Sequence, residues 1–112
     1  MAELSSDVLR GYNDTIILSL LRDGDSYGYQ LSKKIRDASD GRYAMKETTL
    51  YSAINRLERQ GLVQSYAGDE TQGKPRTYYR LTDAGVEHLQ EKCAEWELTK
   101  QLLSVFIEDG KG

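Results

Sequence analysis

The chain has 112 residues, enough for one modest hydrophobic core and too few for two. One cysteine cannot form an internal disulfide, one histidine beside it cannot complete a structural zinc site, and no apolar run is long enough for a membrane span. The net charge of −3 divides into −3 over residues 1–25, +4 over 26–80 and −4 over 81–112, so a basic centre lies between acidic flanks.

The first predicted helix covers residues 7–22, where Leu9, Tyr12, Ile16 and Leu20 recur at helical spacing with Ile17 and Leu21 beside them. That stripe is wider than packing on one side requires. Asp23-Gly24-Asp25 breaks it, and Ser26 is the expected N-cap of a second helix over 27–39, with Leu31, Ile35 and Ala38 inward. Asp40-Gly41 ends that helix, and 42–45 reads as an extended turn or very short strand.

A third helix is predicted over 47–60, with Leu50, Ala53, Ile54 and Leu57 at i, i+3, i+4 and i+7 and Gly61 as the residue that turns the chain. Its opposite face collects Thr48, Ser52, Asn55 and Arg59, with Thr49 and Arg56 on the shoulder. Hydroxyl, amide and guanidinium groups without an acid among them suit the base edges and phosphates of a major groove, although any soluble helix has a polar outer face. Two strands, 63–67 and 76–81, flank a loop too long for a tight turn, which carries Lys74 beside Arg76. Three helices followed by a two-stranded ribbon predict a mainly α (α+β) winged helix-turn-helix.

Thr82 caps a last predicted helix over 83–108. Val86, Leu89, Cys93, Trp96, Leu103 and Ile107 form a heptad-like seam interrupted by Lys100, while Ala94, Leu98, Leu102 and Val105 form a second apolar stripe. Two apolar faces on a terminal helix imply a partner helix, hence a homodimer. The expected division is a DNA-binding unit over 1–81, whose first helix also contributes to the dimer, and a dimerisation helix over 82–112. His88 is expected at the surface and Cys93 in the core. Trp96 is either an interface anchor or, paired with its symmetry mate, a platform for a flat aromatic molecule. No nucleophile with a base at usable spacing, no metal cluster and no phosphate-cradling glycine loop occurs, so neither an enzyme nor a cofactor is expected.

Three motifs carry a family resemblance. Asp25-Ser26-Tyr27-Gly28-Tyr29-Gln30-Leu31 resembles the Gly-Tyr motif of PadR-family regulators. Residues 48–63, with Leu50-Tyr51 and Arg56-Leu57-Glu58 before Gly61, look like that family's recognition helix, and Tyr78-Tyr79-Arg80-Leu81-Thr82-Asp83-Ala84-Gly85 resembles the end of its wing. The single short C-terminal helix is similar to the small subgroup, and within it to the lactococcal multidrug-binding branch. The resemblance implies a cytoplasmic repressor, bound to double-stranded operator DNA as a homodimer and away from membranes. The implied DNA contacts are Tyr29, Lys33, Lys46, Thr48, Thr49, Tyr51, Ser52, Asn55, Arg56, Arg59, Lys74 and Arg76. The implied dimer contacts are Val86, Leu89, Leu103, Phe106 and Ile107. A pore for planar aromatic, drug-like ligands would be lined by Trp96, Leu89, Cys93, Lys100, Thr15 and Ser19. Lys100 departs from that branch, which carries an acid there, and a cation would favour anionic or neutral ligands. The alternative is a winged-helix module that contacts proteins and reads no DNA sequence.

Overall fold

The computed structural model describes residues 6–68 and 75–107. The elements are α1 (Ser6–Arg10), α2 (Asn13–Arg22), β1 (Ser26–Tyr27), α3 (Gly28–Ala38), α4 (Glu47–Arg59), β2 (Val63–Ala67), β3 (Thr77–Leu81) and α5 (Asp83–Ile107). The fold is a small helical body with an antiparallel sheet in the order β1-β3-β2, the winged helix-turn-helix expected.

Two local expectations are corrected. The single first helix is broken at Gly11-Tyr12 into α1 and α2. Ser26 is not a cap but part of a third strand: it pairs with Tyr79, and Tyr27 with Tyr78. The Ser26 hydroxyl is buried and accepts a 2.9 Å hydrogen bond from Lys34 Nζ. Tyr27 is the residue that precedes α3, and it makes no side-chain cap. Residues 42–45 form no strand, but Met45 is buried there and Tyr43 packs against the core.

One core unites the elements. Ile17, Leu18 and Leu21 of α2 meet Leu31 and Ile35 of α3, Leu50, Ala53, Ile54 and Leu57 of α4, Val63 and Tyr79 of the sheet, and Leu89 of α5. Each large apolar side chain buried this way contributes about 1.5–3 kcal/mol. The apolar spacing of α4 therefore fixes which of its faces looks outward.

The chain leaves α4 through Gly61, whose φ is 78°. Gly61 N–H donates to Glu58 O and Leu62 N–H to Leu57 O, both at 3.0 Å, the paired bonds of a Schellman turn. Thr82 caps α5 as expected, since Gly85 N–H donates to its Oγ1 at 3.0 Å. The Thr82 hydroxyl donates in turn to Gly61 O at 2.7 Å, tying the start of α5 to the end of α4. Gly85 packs directly on this turn, where an added Cβ would overlap the Leu62 carbonyl.

Candidate nucleic-acid interface and apolar groove

Because Leu50, Ile54 and Leu57 point inward, Thr48, Ser52, Asn55, Arg56 and Arg59 are exposed on α4, and Thr49 is half-buried. Lys46, just before the helix, is exposed, as is Tyr29 on α3. Neither acid of α4 enters this face; Glu58 turns to the sheet and accepts from the Ser65 hydroxyl at 2.7 Å.

Some predicted contacts are committed elsewhere. Lys33 pairs with Asp37 on its own helix at 2.8 Å, a hydrogen bond that raises the lysine pKa and lowers that of the acid. Arg56 donates to both carboxylate oxygens of Asp14 on α2, and this hydrogen bond, with the nearby negative charge, holds its pKa above the ordinary value against desolvation. Arg76 lies 4.1 Å over the Tyr27 ring, a cation–π contact that holds its guanidinium at the base of the wing. Tyr27 stands edge-on to Tyr78, which stacks on Tyr66. Tyr51 leans on α3 at Gly28, where any Cβ would overlap its ring and hydroxyl. Glycine at 28 thus lets the two helices of the helix-turn-helix approach. Lys74 lies outside the described residues.

The second feature is a groove of about 700 Å³ between α2 and α5. Tyr12, Thr15, Ile16 and Ser19 line one side, and Cys93 and Trp96 the other. Tyr12 meets the Trp96 ring edge-on at 5.5 Å between centroids. The sequence stripe did not separate Tyr12 from the core face of α2; it belongs with the groove. Lys100 is not in the wall, but its ammonium lies 5.6 Å over the Trp96 ring and pairs with Glu97 at 2.9 Å.

Two sequence expectations for α5 are corrected. Leu89 is buried in the core of the chain itself, so it can neither line a pore nor form a dimer seam. Cys93, one turn further on, is exposed at the groove rather than buried. Beyond it, Trp96, Leu98, Leu102, Leu103, Val105, Phe106 and Ile107 are all exposed, as is Val86 nearer the start. Arg10 and Asn13 escaped the sequence reading, yet they stand beside Thr48, Thr49 and Ser52 at the start of α4.

Among the described residues no helix is long and apolar enough to cross a membrane, and no group of three His, Cys, Asp or Glu could hold a metal ion.

Residues 17–91 match the family model described as the transcriptional regulator PadR-like family. A transcriptional regulator from Clostridium thermocellum is 58% identical, with a TM-score of 0.86 over 93% of this chain and 98% of that one. A PadR family transcription regulator from hypervirulent Clostridium difficile is 36% identical, with a TM-score of 0.76 over 87% of this chain and 99% of that one. An uncharacterized protein of Lysinibacillus sphaericus is 39% identical over 92% of this chain and 94% of its own length. The match spans all the elements of the helix-turn-helix and both strands of the wing: the chain belongs to the PadR-like family of transcriptional regulators.

Proposed function

We propose that this regulator is a homodimeric repressor that reads operator DNA with α4 and lays its wing along the flanking backbone. The outward face of α4 carries this reading. Thr48, Ser52, Asn55 and Arg59 stand exposed on a helix whose register is fixed by four buried apolar side chains. Asn can pair with adenine and Arg with guanine, while hydroxyls and Lys46 suit phosphates. Residues 1–81 serve as the DNA-binding unit and 82–112 as the dimerisation segment, built on α5. Val86, Leu103, Phe106 and Ile107 are the apolar groups a second α5 would cover. Occupied operator DNA would then exclude the polymerase by bulk.

The test is salt dependence. Two bound half-sites that neutralise about six phosphates give a slope of log K against log salt near −5. Fluorescence anisotropy of a labelled duplex between low and physiological salt measures it. A flat response would instead favour the module that contacts proteins without reading DNA.

The groove supports a ligand role for Trp96. Tyr12 packs T-shaped against the indole, and the Lys100 ammonium lies 5.6 Å from the ring centroid, so the ring sits among groups suited to an aromatic ligand. Two copies facing each other would place their indoles on either side of one flat aromatic molecule, with Thr15, Ser19 and Cys93 around it. Such a ligand releases DNA only if it prefers one angle between the DNA-binding units. Trp96 is the only tryptophan, so its fluorescence reports on this site alone. In a titration with flat aromatic cations, neutrals and anions, saturable quenching at micromolar concentrations is expected for neutral or anionic compounds. Absence of quenching by every compound would leave Trp96 an interface anchor.

A further inference from the structure

We infer that a small polar cavity between the start of α2 and the start of α4 is a seat for a phosphate of the DNA backbone; this rests on the DNA-binding reading above. The cavity measures about 280 Å³ and is lined by Arg10, Asn13, Thr48, Thr49, Ser52 and Arg56. No acid is among them. Two guanidiniums, three hydroxyls and an amide converge on one space, and every one of these groups can donate a hydrogen bond.

Asn13 points most directly to an anion. The residue as a whole is only 8% exposed. Its Oδ1 accepts a 2.6 Å hydrogen bond from the Tyr43 hydroxyl, which leaves Nδ2 as the free end of the amide. Among the described residues Nδ2 has no protein partner, and Asn13 lines the cavity. The amide nitrogen is thus a donor at the cavity wall that a ligand with only acceptor oxygens can engage.

Arg56 is arranged in the same sense. Its Nε and Nη2 are taken by Asp14, which is not part of the cavity wall, so Nη1 lies outside that pair. Asp14 thus acts as a positioning residue that fixes the guanidinium. Arg10 pairs with Asp7 at 2.7 Å, but both side chains are about three-quarters exposed, and solvent screens such a pair enough for a phosphate to compete for the cation. Free phosphate has the same chemistry as the backbone. The backbone is favoured because Thr48, Ser52 and Arg56 also belong to the exposed face of α4, so the cavity opens beside the proposed groove-reading surface.

The experiment compares wild type with Arg10→Ala on an operator duplex and a random duplex across a salt series. Arg10 is exposed, so the variant should keep its circular dichroism and thermal midpoint. The expected result is an equal loss of affinity on both duplexes. The salt slope should become shallower by about 0.9 for each seat, or roughly 2 for a dimer on two half-sites. A wild type that binds DNA steeply with salt beside a variant of unchanged slope would overturn the seat alone. A wild type without salt-dependent binding would overturn the DNA reading itself. Calorimetry with inorganic phosphate and no DNA separates the two sources. No saturation is expected below about 1 mM. Micromolar saturation abolished by Arg10→Ala would assign the seat to a free phosphate and overturn the backbone assignment.

Discussion

Replacing Leu103 and Ile107 together by glutamate should convert the protein to monomers and lower its affinity for an intact two-half-site operator by at least about a hundredfold. The expectation follows from the shape of α5. Its 25 residues span about 37 Å at helical rise, but only the first two turns meet the core, through Gly85 and Leu89. Further along, Phe106 and Ile107 are each 70% exposed and Leu103 45% exposed. A contiguous apolar surface of this kind marks an interaction site, and covering each large side chain contributes about 1.5–3 kcal/mol. A second α5 offers a surface of the same character, and a two-fold axis places the same patch on both sides. Four like charges brought together at that seam would repel in a poorly hydrated setting. Linking two half-site readers multiplies affinity about 10²–10⁴-fold over one reader, and that factor is what dissociation removes. Sedimentation gives the mass, and anisotropy on whole and half operators gives the affinity. Neither residue belongs to the core of the chain, so the circular dichroism of the variant should show helix retained. A variant that stays dimeric would move the interface elsewhere. A monomer that still binds the whole operator as tightly as wild type would remove the need for a dimer.

What the sequence revealed depended on how local the cause is. The bounds of α4 lie within one residue of the expected 47–60, because its apolar spacing and its terminating glycine are signals within the helix. The capping role of Thr82 was visible for the same reason. β1 was not visible: two residues have no periodicity, and Ser26–Tyr27 is a strand only because β3 passes beside it. The break at Gly11-Tyr12 was masked because Leu9 and Tyr12 continue the apolar spacing across it. Further along, one stripe on α5 contains both Leu89 and Cys93. Spacing gives a face but not the point at which the core ends, and here that point falls between those two residues. The outward face of α4 was legible in full. The cavity beside it was not, because Arg10 and Asn13 meet Thr48 and Ser52 only through the packing of α2 on α4. Nor does charge pattern reveal that Arg56 is held by Asp14, 42 residues away.

The most direct test of α4 as the sequence reader is to substitute its central side chains and compare two DNAs. Duplexes selected by the wild-type protein from a random-sequence library supply a preferred site, and a scrambled version supplies the reference. Asn55 and Arg59 are exposed, lie one turn apart and have no partner among the described residues, so Asn55→Ala and Arg59→Ala should fold as wild type. Each bidentate base contact is worth about 1–3 kcal/mol of discrimination, roughly 5- to 150-fold in affinity. Each variant should therefore lose about that factor on the selected duplex and much less on the scrambled one, which keeps the phosphate contacts. Equal losses on both duplexes, or a library from which the wild-type protein selects no sequence, would contradict sequence reading by α4.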